Sequence, residues 1–492
     1  MSTENDKSLF NSNVVPLKSF GTTGSQGSAL LDDLRARSQD GNFWYGEWLE
    51  ANAITNGPSH KDVRGEFHKL FGIRREEIEM NIKFIADFGS LPRTVEDKLT
   101  VMLAKFSAAM FFDGSINAHI DERDVTSLTV LADKLHLTNA DYRLGINSSD
   151  IDRAVNLWRS RNRIDLVTST TKEIAYKPSQ DDDAVWQYVA DQHSQTLHSP
   201  AYVKAVYKKF VWQVKRKMLN LPITYHLMPV ILGPQGTGKS WFVVKILNAY
   251  LSQFVHSSTF ESIGEERLAE QWDYPIQWCD EMAYASLANA DIVKNRITSD
   301  KVFYRPMGEN YSLPVTNRST FIGASNKNSI ADIIRDETGN RRFAPVVYSN
   351  VPGDERIPFG YDPILFWTSV DEHGPDPMLE AADELTALQS SQRHLSTTDQ
   401  FLLDYATKAE EAEEPTNLFS TLWAEFDDWK QTSNVKCKLT KNEFFRAIAG
   451  AADNFPDLYK VTNPQNKKTF TFLKVNANPK GAKAALKKAG VL

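Results

Sequence analysis

The chain has 492 residues, 41% hydrophobic and 24% charged, the composition of a globular protein too long for one ordinary core. A formal net charge of −7 gives no global signature of nucleic-acid binding, so any such surface must be local. Two cysteines, no apolar run of membrane-spanning length and a start without a basic, apolar leader argue against a disulfide scaffold, membrane insertion and secretion, and a cytoplasmic protein is expected.

Residues 1–40 are rich in Ser, Asn, Gly and Gln and read as a disordered tail. From Asn42-Phe-Trp-Tyr-Gly-Glu-Trp48 onward aromatic residues appear, and Val95 to Phe112 carries helical apolar spacing. A mainly helical N-terminal domain is therefore expected over residues 41–198. Its acidic clusters, His119-Ile-Asp-Glu-Arg-Asp124 and Asp181-Asp-Asp183, each read as a surface loop or a helix cap rather than a metal site for nucleotide polymerisation. Ser199-Pro200 has the form of a helix start. The helix beginning there, to Lys217, has Lys204, Lys208, Lys209, Lys215, Arg216 and Lys217 as its charged residues and no acid. That basic stretch fits a solvated face as well as a nucleic-acid or subunit contact.

Next comes the apolar run Leu227-Met-Pro-Val-Ile-Leu232, followed at once by Gly233, Pro234, Gln235, Gly236, Thr237, Gly238, Lys239 and Ser240. This is the phosphate-binding P-loop pattern at every fixed position. Its backbone N–H groups wrap phosphate oxygens, its lysine reaches the terminal phosphates and its hydroxyl holds magnesium. ATP and Mg2+ are the expected ligands. Apolar spacing from Trp241 to Leu251 supplies the helix that such a loop opens.

A P-loop ATPase also needs an acid at the end of a second strand for magnesium, with a neighbouring carboxylate for the attacking water. Tyr274-Pro-Ile-Gln-Trp-Cys-Asp-Glu-Met282 offers that pair as Asp280 and Glu281. Ser319-Thr-Phe-Ile-Gly-Ala-Ser-Asn326 is another β-prone run, and its terminal Asn326 has an amide suited to sensing a γ-phosphate or the lytic water. Between the two lies a predicted hairpin, Lys301 to Val315, with a tip at Pro306-Met-Gly-Glu-Asn310. Finally Arg341 and Arg342 precede the β-prone run Phe343 to Tyr348. Arginine stabilises charge on a transferring phosphoryl group, often from a neighbouring subunit, although one of the two could instead pair with Asp336 or Glu337.

Residues 396–417, with Glu410-Glu-Ala-Glu-Glu-Pro415, read as an acidic linker. Two helical patterns and an alternating segment around Asn463-Pro-Gln-Asn466 suggest a winged-helix-like domain over residues 418–492, with a basic C-terminus.

Taken in order, G-P-Q-G-T-G-K-S, C-D-E-M, I-T-S-D-K-V-F-Y-R-P, F-I-G-A-S-N and T-G-N-R-R-F-A-P-V resemble the helicase domain of superfamily-3 AAA+ proteins. The likeness is to phage and mobile-element replication proteins of the primase-helicase and virulence-associated-protein-E type. It covers roughly residues 200–350, within an expected α/β AAA+ P-loop core at residues 199–395.

The resemblance implies a ring, commonly hexameric, that encircles one DNA strand and translocates by hydrolysing ATP at subunit interfaces. Lys239 would then serve phosphate, Ser240 and Asp280 magnesium, Glu281 water activation and Asn326 phosphate sensing, with Arg341 or Arg342 as the finger offered to a neighbour. The hairpin would bring Lys301, Arg305, Met307 and Gly308 to single-stranded or forked DNA, although Glu309, and no lysine, stands at its tip. An ATP-dependent replicative helicase, working with other replication proteins, is thus expected. A nucleotide-switched initiator or loader is the alternative, while an AAA+ machine for protein substrates is disfavoured because no aromatic-glycine pore loop follows the P-loop helix.

Overall fold

A computed structural model describes residues 24–52, 60–264, 269–282, 287–306, 310–334, 341–349, 362–391, 396–409, 416–433, 437–454, 459–462 and 468–472. The chain divides into two compact units, Met1–Ser169 and Thr170–Leu492.

The first unit holds helices α1 (Gly24–Arg37), α2 (Tyr45–Ala51), α3 (His60–Phe71), α4 (Arg75–Phe88), α5 (Val95–Lys105) and α6 (Leu128–Asp141), and most of α7 (Ser148–Glu173). The expected tail is thus helical over its second half, because Leu30, Leu31 and Leu34 share a face and pack with Trp48, Phe67 and Ile78. Residues 1–23 lie outside the described residues. Thr94 caps α5, accepting from the Asp97 N–H at 3.1 Å. The helix expected to reach Phe112 stops at Lys105. An antiparallel sheet comes next, β1 (Ala109–Met110), β2 (Ile116–Ile120) and β3 (Arg123–Val125), in the order β1-β2-β3. β2 alternates buried and exposed residues, and its buried Ile116, Ala118 and Ile120 face the helices. Asp121 and Glu122 form its left-handed turn (φ 49° and 62°), while His119 Nδ1 lies 3.0 Å from Asp124 Oδ1 across the hairpin. This acidic cluster is a surface turn.

The second unit opens with α8 (Asp182–Asp191) and α9 (Pro200–Met218). The expected boundary at residue 198 therefore falls too late. Residues 177–194 belong with the second unit: the Lys177 N–H donates to the Thr368 carbonyl, Trp186 Nε1 to Ser369 Oγ and the Ser194 N–H to the Val347 carbonyl. Asp182 and Asp183 occupy the first turn of α8, where they complement the helix dipole.

Five parallel strands form the central sheet: β4 (Met228–Leu232), β5 (Val255–Ser258), β6 (Ile276–Cys279), β9 (Thr320–Ser325) and β10 (Phe343–Val347), in the order β10-β4-β9-β6-β5. All residues of β4, β6 and β9 are buried, as continuous apolar runs covered on both faces should be. After β4 come a short α10 (Lys239–Trp241) and wide π-helical turns over Phe242–Leu247. After β6 come α11 (Leu287–Thr298) and the antiparallel hairpin β7 (Lys301–Tyr304) with β8 (Leu313–Thr316). Beyond the sheet lie α12 (Leu365–Thr368) and α13 (Ala382–Ser391).

The C-terminal part contains α14 (Thr397–Ala409), β11 (Thr416–Leu418), α15 (Phe419–Thr432), α16 (Lys441–Asn454), β12 (Tyr459–Thr462) and β13 (Thr469–Phe472), with its sheet ordered β11-β13-β12. The expected linker is corrected here, since residues 397–409 are a helix whose Phe401 and Leu402 are buried with Phe426 and Phe444. Its acidic run at 410–415 and the basic C-terminus lie outside the described residues.

Candidate nucleotide site at the carboxyl ends of the sheet

Parallel strands send their carboxyl ends to one rim, and three adjacent strands deliver the predicted chemistry there. Leu232 of β4 pairs with Ser325 of β9, so Gly233 and Asn326 leave the sheet side by side. Cys279 of β6 pairs with Gly323 of β9, so Asp280 and Glu281 emerge on the other flank of Asn326. Gly323 leaves room on β9 for the side chains of Met282 and Met228. A Cβ there would strike Met282 Sδ and lie 2.9 Å from Met228 Cε. The sequence signal for this was a glycine inside a strand pattern, which marks close backbone approach.

The loop itself needs glycine. Gly233, Gly236 and Gly238 have φ of 148°, 83° and 97°, the left-handed region. A Cβ on Gly233 would also lie 3.2 Å from the Tyr348 carbonyl oxygen. Lys239 is only 9% exposed, and its Nζ donates to the carbonyls of Gly233 and Pro234, both at 2.7 Å. Burial pulls the Lys239 pKa down, while Asp280 and Glu281 oppose that shift. Thr237 Oγ1 closes the turn on the Pro234 carbonyl at 3.0 Å, and Pro234, Gln235 and Gly236 are exposed along it.

Ser240 and Asp280 are 40 positions apart in sequence, yet the Ser240 hydroxyl donates to Asp280 Oδ1 at 2.8 Å. The two expected magnesium ligands therefore share one point. Among the described residues no group of three or more His, Cys, Asp and Glu could hold a metal. The hydroxyl of Ser240 and the carboxylate of Asp280 are donors that Mg2+ accepts, since it takes one or two protein oxygens and fills its octahedron with phosphates and water.

Glu281 has φ 51°, uncommon for a side-chain-bearing residue, and its N–H turns back to Asp280 Oδ1 at 3.1 Å. Met282 holds that turn, its N–H donating to the Ala324 carbonyl at 2.8 Å. Asp280, Glu281 and Asn326 are all exposed at the rim.

Arg341 and Arg342 lie elsewhere. Phe343 pairs with Met228, and the Met228 N–H donates to the Arg342 carbonyl at 2.8 Å, which puts both arginines at the amino end of the strands. The P-loop follows the other end of β4, so about 16 Å of strand separates them from the loop of their own chain. The Arg341 backbone is pinned by Tyr225 and Gln389, whose side chains donate to its carbonyl.

Behind the loop is a buried layer that sequence did not reveal. His193 Nδ1 lies 2.8 Å from the Val189 carbonyl and Nε2 2.7 Å from the Tyr207 hydroxyl. A carbonyl can only accept, so Nδ1 carries the hydrogen and Tyr207 donates to Nε2. Burial drives the His193 pKa down to about 3 and keeps the ring neutral. The ring packs on Phe242 and Tyr348, and the Tyr348 N–H holds the Leu232 carbonyl at 2.8 Å. Only a chain fold joining residues 193, 207, 242 and 348 exposes this arrangement.

The basic stretch of α9 is not a fully solvated face: Lys209 and Lys215 are buried, and Lys204, Lys208, Arg216 and Lys217 are partly so. None of residues 202–218 is exposed. Lys209 pairs with Asp376 and Lys215 with Glu372, both at 2.5 Å, and Lys217 donates to the Ser319 carbonyl. Burial lowers all three lysine pKa values, Lys217 to about 7.

In the hairpin, Lys301 and Arg305 are exposed, and Arg305 Nη2 donates to Asn310 Oδ1 at 2.9 Å. Met307 and Gly308, also expected at DNA, lie outside the described residues, as does Glu309. No helix among the described residues is long and apolar enough to cross a membrane.

Residues 181–359, which contain the whole rim, match the family described as the virulence-associated protein E-like domain. No curated protein matches the chain. Among solved structures, the chain is similar to an A-form apo structure of the NrS-1 C-terminal region at 12% identity and a TM-score of 0.38. A second apo structure of that region matches at 11% identity and a TM-score of 0.37; each match covers 61% of this chain and 76% of the other. The similarity to the virulence-associated protein E-like domain thus lies in residues 181–359, which carry the P-loop, the acid pair and Asn326.

Proposed function

We propose that this chain is an ATP-dependent replicative DNA helicase of a phage or mobile element, an AAA+ motor acting as a ring-shaped oligomer. The observation that carries the reading is the convergence of P-loop, Asp280-Glu281 and Asn326 on one rim, with Ser240 and Asp280 2.8 Å apart. Ligands of open α/β sheets bind outside the carboxyl ends of the strands, which is where these groups meet. The virulence-associated protein E-like match over the same residues supports a role in mobile-element replication.

In this reading the loop amides and Lys239 bind the phosphates of ATP, and Ser240 and Asp280 hold magnesium. The ion supplies positive charge against the phosphate oxygens. Glu281, exposed beside Asp280, orients and deprotonates the attacking water, and Asn326 hydrogen-bonds the γ-phosphate or that water. Arg341 and Arg342 stand too far from their own loop to complete the site, so one of them serves a neighbour's ATP. The ring is commonly six-fold in such motors, and the hairpin residues Lys301 and Arg305 grip single-stranded DNA in its channel. The C-terminal helices and three-stranded sheet are assigned to a winged helix, and the N-terminal unit to a collar that aids assembly.

The test is hydrolysis by the full chain with and without single-stranded DNA. Lys239→Ala should abolish it, and Arg341→Ala or Arg342→Ala should abolish it while leaving ATP binding intact. Retained hydrolysis in both single arginine variants removes the neighbour-finger assignment, and hydrolysis by Lys239→Ala removes the site.

A further inference from the structure

We propose that the solvent face of the β7–β8 hairpin is a stacking platform for unpaired bases, with the Phe303 ring carrying the base and Lys301 and Arg305 its flanking phosphates. The inference rests on the reading that this hairpin grips single-stranded DNA, and adds that it holds the bases as well as the phosphates.

Val302 pairs with Val315 and Phe303 with Pro314, so alternation puts Lys301 and Phe303 on one face and Val302 and Tyr304 on the other, with the exposed Arg305 just past the strand's end. Val302 is 1% exposed and belongs to the sheet's core cluster, with Val315 packed against it. That fixes which face is inward. The outward face therefore reads cation then aromatic along one strand, opposite Thr316 and Pro314 on the other, and a second exposed cation, Arg305, follows where the strand ends.

Phe303 is 54% exposed, and in that position its ring adds little to folding. Tyr311, 53% exposed where the chain returns from the tip, is another ring open to solvent. Every base has a π-face but only an unpaired one can offer it, and an aromatic between cations is the arrangement that single-strand binders use. No acid lies on the outward strand positions 301, 303, 314 and 316, so the face suits a polyanion rather than a basic partner. The stripe also supplies a grip that does not depend on a lysine at the tip.

The test measures binding of the full chain, without ATP, to a labelled single strand, an abasic strand of equal phosphate number and a duplex. Phe303→Ala should weaken the single strand about 5- to 150-fold, with Phe303→Trp restoring it. Neither change should alter abasic-strand affinity or the salt dependence, whereas Lys301→Ala should weaken both strands and lower the salt slope by about one. An unchanged Phe303→Ala affinity overturns the proposal. So does equal weakening on the abasic strand, or a drop in oligomeric mass on Phe303→Ala, which would give the face to a second copy. Binding needs no hydrolysis, so a chain that stacks bases yet never hydrolyses ATP refutes the helicase reading and leaves the platform standing.

Discussion

Two concentrations of charge invite the same first reading and have opposite structural roles. At the sheet's carboxyl rim, Asp280 and Glu281 are exposed, and Lys239 is held only by carbonyls of its own loop. On α9, Lys209 and Lys215 are 0% and 2% exposed and are spoken for by Asp376 and Glu372. Charge at the rim stands open to solvent, whereas charge on α9 fastens the helix to the segment that covers it. The difference is visible only in what each group touches, and it predicts that substitutions at the rim cost activity while those on α9 cost stability.

The largest effect separates them at once. Lys239→Ala should lower the hydrolysis rate by at least about 100-fold and leave the denaturation midpoint nearly unchanged. Lys215→Ala should do the reverse, destabilising the fold by about 3–5 kcal/mol, because it leaves Glu372 buried without its cation. Urea titrations of the two variants side by side check this. If Lys215→Ala melts like the parent chain, the α9 half of the comparison fails. Replacing the pair together, Lys215→Met with Glu372→Leu, should recover most of the loss.

A third variant puts both quantities into one residue. Glu281→Gly removes the carboxylate proposed to activate water and also the steric cost of φ 51°. Hydrolysis should vanish while stability stays level or rises by about 0.5 kcal/mol, after the greater freedom of glycine in the unfolded chain is counted. A clear loss of stability would mean that the Glu281 side chain supports the fold.

The remaining effects are those of pH. His193 has a folded pKa near 3 against an ordinary 6.5, so the unfolded chain binds the extra proton. Stability should therefore fall as pH drops from about 6.5 towards 3, and His193→Gln should flatten that decline. Lys217 is also depressed, to about 7, so below pH 10.5 the unfolded state again holds more protons. Stability should rise from about pH 7 towards 10.5, and Lys217→Met should remove that rise. Thermal melts across both ranges measure the slopes.

The rim was legible in sequence because each part is a local pattern. A β-prone run ending in G-x-x-x-x-G-K-S, another ending in Asp280-Glu281 and a third ending in Asn326 each announce a strand and the group it delivers. The hairpin was legible for the same reason. What escaped depends on distant partners. Lys209 finds Asp376 across 167 positions, so its burial could not be inferred from the helix alone. The boundary at residue 198 failed likewise, since Trp186 and Lys177 bond to Ser369 and Thr368. Gly323 hinted at close packing, but that Met282 and Met228 fill the space is a fact of the folded sheet. The second half of the expected tail and the start of the expected linker failed because polar composition hid Leu34 and Phe401, the residues that dock each helix.

Strand displacement on a forked DNA tests the central claim most directly. The full chain with ATP and magnesium should release the labelled strand, and Lys239→Ala should not, although it still binds the fork. A chain that hydrolyses ATP with DNA stimulation but never displaces a strand would contradict the helicase account and leave a nucleotide-switched initiator in its place.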